Sequence, residues 1–410
     1  MTRYRNHLVD DVLRWWMANG PDEQHGGVLT CWDNAGRRLL SHDKYTWSQG
    51  RWAWLMAEVA LAAPGLGIDA GPYAEQARRT AVFLRDHAVL PDGTTAFVTD
   101  RAGMPHESAP GAGLHTSVFS DLFASLGWAG VARLERDGDW GALALRMLLD
   151  AAARIRTGSF RSEPYPVAAG HRSFGLPMIL LGVGEQVYRA TGDPRAAAVV
   201  RAAGDEIAEY HLDGDDVAEM PRLDAADDGS LLTRHRTPGH VLESLWFAHH
   251  ARDLLDGPLA ETATLGRIAV HALRLGWDED QGGLLRYADR DGGVPTGTRT
   301  ADRYEQLVVD TWDTKLWWPH AEALYTTHLL AGAADDTDLA AWSQRVADYT
   351  MRTFPDGPGQ EWTQIRTRDG SPLDATVALP VKDPFHVARA LLLLAQLERD
   401  HLPHHLQEAR

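Results

Sequence analysis

A helix period that keeps returning, with no sustained strand period between, limits this chain more than any other feature. Apolar residues recur at helical spacing in twelve segments, at roughly 4–19, 47–63, 71–88, 117–135, 138–156, 173–191, 193–210, 238–254, 258–275, 315–333, 336–353 and 383–399. The stretches between them carry Gly, Asp and Pro, and strand-like alternation is short and local. Two of these stretches echo each other. Asp22-Glu23-Gln24-His25-Gly26-Gly27-Val28-Leu29, then Asp33 and Gly36, matches Asp278-Glu279-Asp280-Gln281-Gly282-Gly283-Leu284-Leu285, then Asp289 and Gly292. Each reads as a turn, a short strand, a turn and a return strand, a small hairpin. Each runs into a helix with a Trp-rich start, at 44–51 and 315–322. A fainter echo runs from Phe354 through Glu361-Trp362 and Asp369-Gly370 to the helix holding His386.

Repeated helix hairpins with like turns on one side predict a solenoid or a ring. Twelve helices taken in pairs close into a toroid of six inner and six outer helices, an all-α fold with short β-hairpins at one end. No linker-like break divides the 410 residues, so one domain spanning 1–410 is expected. The helix starts gather at one end of the ring. Trp47, Arg51, His240, Glu243, Trp318, Glu322 and His386 can therefore converge on one pit.

Charge narrows the partners. A formal net charge of -17 argues against nucleic acid or an anionic membrane surface. The polar N-terminal stretch has no signal-peptide core, and no apolar run is long enough to cross a bilayer. The single cysteine, Cys31, excludes an internal disulfide and fits a reducing cytoplasm. Tryptophan outnumbers phenylalanine, 15 to 9. Trp needs a partner for its N–H when buried, and its flat face suits the C–H face of a sugar ring.

One stretch concentrates chemistry: Thr237-Pro238-Gly239-His240-Val241-Leu242-Glu243-Ser244-Leu245-Trp246. Thr237 and Pro238 suit a helix start, and Gly239 permits a close approach. His240, Glu243 and Trp246 then share one face. His240-x-x-Glu243 with His235 nearby invites a metal reading. HExxH, paired cysteines and a third ligand at tight spacing are all lacking, so no metal is expected. No phosphate-binding GxxxxGK[ST] loop occurs, and no cofactor is expected. Arg51 has a structural alternative, pairing with Glu58. Glu243 could be an ordinary helix-surface partner, and Glu322 an acid closing the ring. Trp317 and His320 face away from the Trp318 side and read as packing residues. The pairs His249-His250 and His404-His405 read as exposed.

The segments 22–36, 44–54, 234–247, 276–287, 315–324 and 385–389 resemble those of the N-acylglucosamine 2-epimerase family. The ordered set PGHxxExxW, KLWWPHxEAL and FHVxR carries the likeness. The resemblance implies an (α/α)6 barrel that interconverts sugars through the carbon beside the carbonyl. It implies that His240 and His386 are the catalytic histidines, and that Arg51, Glu243, Trp246, Trp318 and Glu322 line the sugar pocket, with Trp47 one turn before Arg51. A homodimer follows from the same likeness. Ser173-Phe174-Gly175-Leu176-Pro177 lacks the Asn-x-x-x-His motif of the wider family, which favours the N-acylglucosamine branch. Gln360-Glu361-Trp362-Thr363-Gln364 and Lys382-Asp383-Pro384-Phe385-His386 depart from the family pattern beside the expected site.

The chemistry accounts for the residue types. Removing a proton beside a carbonyl needs a base of near-neutral pKa and a donor for the enediolate oxygen. Inverting C2 needs one such group on each face, which His240 and His386 supply. Arg51 suits the oxygen; Glu243 and Glu322 orient hydroxyls or tune the imidazoles. Trp47, Trp246, Trp318 and Trp362 serve as stacking plates. The leading expectation is a cytoplasmic 2-epimerase for N-acetylglucosamine and N-acetylmannosamine. A mannose–fructose isomerase uses nearly the same parts. A glycoside hydrolase with paired carboxylates and a non-catalytic sugar-binding toroid are the more distant alternatives.

Overall fold

The computed structural model describes residues 3–400 apart from 225, 227 and 335; His404-His405 lie outside the described residues. Twelve long helices appear where the periodicity places them: α1 (3–19), α2 (Thr46–Leu66), α3 (71–88), α4 (Val118–Glu135), α5 (Gly138–Arg156), α6 (Gly175–Thr191), α7 (194–211), α8 (Pro238–Ala251), α9 (Thr262–Gly276), α10 (Trp317–Ala334), α11 (Thr337–Thr353) and α12 (Phe385–Asp400). Among the described residues two further α-helices, Leu231–Arg234 and Arg303–Thr311, lie in loops that the period did not mark.

The even-numbered helices pack in the order α2, α4, α6, α8, α10, α12 and back to α2, which closes the inner ring. The odd-numbered helices lie outside them, and α1 packs on α12. The arrangement is an (α/α)6 barrel. Sequence pattern sets the layers. In α2 and α10 nearly every side is buried, as a helix walled on all sides requires. In α9 and α11 the buried residues form one stripe. Close approach within the ring depends on glycine: a Cβ on Gly50 would sit 2.0 Å from the Phe123 carbonyl oxygen.

Among the described residues, four two-residue strand pairs lie among the loops. Only Leu212–Asp213 with Asp216–Val217 is a local hairpin. The other three join separate loops: Lys44–Tyr45 with Val98–Thr99, His235–Arg236 with Ala288–Asp289, and Lys315–Leu316 with Ile365–Arg366. Each runs directly into, or one residue short of, the start of an inner helix, and so fixes that helix end. The echoed stretches 22–36 and 278–292 close as turns, each by a single bridge, Pro21 to Val28 and Trp277 to Leu284.

The echo is physical as well as textual. Asp22 accepts from the backbone of Gln24 and His25 and pairs with buried Lys44 at 3.0 Å. Asp278 accepts from Asp280 and Gln281 and pairs with buried Lys315 at 3.2 Å. Lys44 also reaches the Gly26 carbonyl at 2.7 Å, and Lys315 the Gly282 carbonyl. Gln49 and His320 each accept the backbone N–H that follows the glycine pair, at 2.8 Å from Val28 and 2.9 Å from Leu284. The third echo keeps the device with a longer acid: Lys382 pairs with Glu361 at 2.9 Å. His249 and His250 are not exposed decoration. His249 is buried, and His250 Nε2 lies 2.9 Å from the Tyr325 hydroxyl at the far end of the barrel.

Candidate active site

Every inner helix contributes its first turns to a pit of about 1140 Å3, counting its open mouth. Trp47 and Arg51 come from α2, Phe119 from α4, Met178 and Ile179 from α6, His240 and Glu243 from α8, Trp317 and Trp318 from α10, and His386 from α12. Residues 377–381 cover one side of the mouth. Leu379 N–H bonds back to the Val377 carbonyl at 2.8 Å across Ala378, whose φ is 60°.

His240 sits in the first turn of α8, after Pro238. Thr237 occupies the cap position, but its side chain makes no capping bond. Gly239 makes room for Trp318, whose ring lies 2.7 Å from where a Cβ would stand. His240 Nδ1 lies 3.0 and 3.1 Å from the two oxygens of Glu219. A carboxylate only accepts, so Nδ1 carries the proton and Nε2 is left for the pit. Burial alone would lower the His240 pKa; the Glu219 charge and hydrogen bond outweigh it and hold it above the ordinary value. Burial likewise opposes charge on Glu219, yet His240 keeps its carboxyl below the usual range.

His386 lies in the first turn of α12. Asp383 precedes it and caps the helix: its Oδ1 accepts from the Phe385 N–H at 3.2 Å. His386 Nδ1 is 2.7 Å from Glu322 Oε1, so this histidine also keeps a fixed tautomer, and its Nε2 makes no hydrogen bond among the described residues, with Asp383 Oδ2 at 3.8 Å. The ring centroid of Trp318 lies 5.1 Å from that of His240 and 5.9 Å from that of His386. The two imidazoles therefore flank one tryptophan in one pit.

Beneath them lies a buried charged layer. Arg389 donates to Glu243 at 2.5 Å and to Glu322 at 2.6 Å. Trp246 donates its indole N–H to Glu322 at 2.7 Å. Burial opposes the charge on Glu322, but Arg389, His386 and Trp246 hold its carboxyl below the usual carboxylate range. Glu243, Glu322 and His386 offer ligand atoms within 4.8 Å of one another. The Arg389 guanidinium already stands among them as their cation, so a metal ion there would have to displace it.

Arg51 is packed against aromatic faces, 4.2 Å from the Phe123 centroid and 5.0 Å from that of Trp47. Burial lowers its pKa to about 10, with Asp383 and Glu243 opposing; it stays cationic at neutral pH. Its nearest carboxylate is Asp383 at 3.8 Å. Glu58 pairs with Arg133 instead.

The expected residues thus divide. His240, His386, Arg51, Glu243, Trp47 and Trp318 line the pit. Glu322 and Trp246 do not; they lie one layer below, buried by their mutual hydrogen bond and by Arg389. Trp362 is placed elsewhere altogether. It is 0% exposed, donates to His7 Nε2 at 2.7 Å and stacks on Phe354. Trp317, expected to pack between helices, lines the pit and donates to Asp383 at 3.2 Å. Sequence reasoning passed over Glu219, Asp383 and Arg389. Asp383 announces itself as an Asp-Pro helix start, and Arg389 stands one turn after His386. Glu219 sits in a loop with no periodic signal.

The profile of the family N-acylglucosamine 2-epimerase (GlcNAc 2-epimerase) matches residues 184–390, half of the chain. The N-acylglucosamine 2-epimerase of Bos taurus is 28% identical over 405 residues, covering 95% of this chain and 89% of that protein. The structure of a sugar epimerase from a ruminal bacterium superposes with a TM-score of 0.76 at 18% identity, covering 96% of this chain and 98% of the other. The cellobiose 2-epimerase of Spirochaeta thermophila gives 0.76 at 18%, covering 96% and 95%. At these identities the structures speak for the barrel alone.

Proposed function

The chain belongs to the N-acylglucosamine 2-epimerase family, and from that premise we propose that it interconverts N-acetylglucosamine and N-acetylmannosamine by proton transfer at C2. It is an enzyme of the epimerase and isomerase class. The observation that carries the reading is the pair of histidines on one pit, each with Nδ1 tied to a buried carboxylate and Nε2 free.

In the open-chain sugar, the carbonyl oxygen lies against Arg51, whose guanidinium takes up the charge of the enediolate. His386 Nε2 takes the C2 proton from one face. His240, whose protonated form Glu219 favours, returns a proton to the opposite face, and the configuration inverts. The reverse reaction exchanges the two roles. Trp47 and Trp318 hold the carbon chain flat between the imidazoles. Glu243 lies within reach of a hydroxyl and is anchored by Arg389. Glu322 and Trp246 act through His386, as positioning residues.

The chain works in this reading as one catalytic domain in the cytoplasm, without a metal or cofactor, and as a homodimer. No helix among the described residues is long and apolar enough to cross a membrane. The test is incubation with each N-acetylhexosamine in heavy water. The other epimer should appear with one deuterium at C2, and EDTA should leave the rate unchanged. A ketose formed from mannose, with both N-acetylhexosamines untouched, would replace this reading with an aldose–ketose isomerase.

A further inference from the structure

Among the described residues, the cations in the pit and in the layer beneath it are matched by carboxylates with one exception. His240 faces Glu219, Arg389 faces Glu243 and Glu322, and Arg51 has Asp383 at 3.8 Å. Arg286 also lines the pit and is only 5% exposed. Among the described residues no carboxylate lies within ion-pair distance of it. Its partners are neutral hydroxyls: Nη2 donates to the Tyr165 phenol at 3.0 Å and Nη1 to Thr311 Oγ1 at 3.1 Å. Two more phenols, Tyr287 and Tyr304, line the same pit and lie oxygen to oxygen at 3.5 Å. The face of Arg286 lies over the Tyr287 ring, 5.0 Å from the centroid; a guanidinium offers five N–H donors in a planar fork, and the two bonds to Tyr165 and Thr311 leave part of it for a ligand.

Burying a guanidinium with no opposite charge is costly. The Tyr287 ring gives it a cation–π face but no opposite charge. The cost makes sense when a ligand supplies the anion, because a fork of this shape matches a carboxylate or phosphate. Position says which part of the ligand. Arg286 reaches the pit just before the strand Ala288–Asp289, which pairs with His235–Arg236 at the entrance to α8. In the closed ring α8 stands across from α2, the helix that carries Arg51. Arg286 therefore belongs to the wall of the pit opposite Arg51, the wall that also carries His240, and a sugar held by its carbonyl on Arg51 would extend toward that wall.

We propose that the preferred substrate carries an oxyanion at the end remote from C2, a carboxylate or a phosphate monoester at C6, bound by Arg286 with the Tyr165 and Tyr304 hydroxyls. This rests on the epimerase reading above. The neutral N-acetylhexosamines then react on the same frame as the poorer substrates. The strongly negative chain gives such a ligand no long-range attraction, so recognition is local.

The experiment follows C2 hydrogen–deuterium exchange by NMR for three sugars: N-acetylmannosamine, its 6-phosphate, and the sugar with a C6 carboxylate. The enzyme should process one of the two anions with kcat/KM at least tenfold above the neutral sugar, and which one identifies the oxyanion. Arg286→Gln should cut that preference at least tenfold, mainly through KM, and Arg286→Lys should restore part of it. Neutral sugar processed as well as both anions would overturn the proposal. So would an Arg286→Gln variant that lowers anionic and neutral rates alike, since a brace would do that. Exchange with none of the three sugars would sink the epimerase reading instead, so the two failures are distinguishable.

Discussion

Replacing Glu219 with Gln tests how the pit sets the charge on His240. The amide keeps the size of the side chain and can still accept from Nδ1, so the loss is the negative charge. The carboxylate lies 3.0 Å from the imidazole. At an effective dielectric constant near 20 the gross attraction at that distance is about 5 kcal/mol, and desolvation of both groups offsets much of it. A charged hydrogen bond nets about 1.5–3 kcal/mol and a neutral one about 0.5–1.5, so the charge is worth about 1–1.5 kcal/mol. At 1.36 kcal/mol per decade, kcat at pH 7.5 should fall about 5- to 13-fold. The sign of the pH effect is fixed. Glu219 raises the His240 pKa against burial, so its removal lowers it, and the alkaline limb of the rate profile should move to lower pH. Stability follows the same linkage. The raised His240 contributes fully below its unfolded pKa, about 6.5, and its share is lost as pH rises through the folded value. The lowered Glu219 contributes above its unfolded pKa and loses its share as pH falls through the folded one. C2 exchange measured by NMR from pH 5 to 9, with a melting curve at each pH, reads both. An alkaline limb that stays put while only the melting temperature drops would refute the reasoning.

Arg389→Met strands Glu243 and Glu322 beneath His386; urea titration should show a loss of about 3–5 kcal/mol, larger at pH 8 than at pH 4. Lys315→Met leaves Asp278, a buried acid, with only the half-exposed Arg368. It should cost about 3 kcal/mol by urea titration, with C2 exchange per folded molecule unchanged. Trp362→Phe removes the bond to His7 and opens a small void. It should cost about 1–3 kcal/mol in the same titration with KM unaltered, and a raised KM would return Trp362 to the sugar.

The barrel was legible because a helix walled in on one or all sides must repeat its apolar residues at helical spacing, and twelve did. Leu231–Arg234 and Arg303–Thr311 escaped, one being too short for a period and the other lying in a loop crowded with charges. The strand pairs were harder to read. Their partners lie in different loops, and only the closed ring brings Lys44–Tyr45 to Val98–Thr99. At the site, His240 and Glu243 could be placed from one helix face. Glu219 could not, because a loop acid gains meaning only from the imidazole it meets. The tryptophans misled for a definite reason. An indole suits a sugar face, but Trp246 and Trp362 spend their N–H groups on Glu322 and His7 inside the protein. Trp47 and Trp318 are the half-buried ones, and those two reach the pit.

The most direct measurement is a structure with a linear analogue, the alditol of N-acetylmannosamine, bound in the pit. The account predicts Nε2 of His240 and Nε2 of His386 on opposite faces of C2, each about 3 Å from the carbon or its nearest oxygen, with O1 against Arg51. Both imidazoles on one face, or either one out of reach of C2, would contradict it.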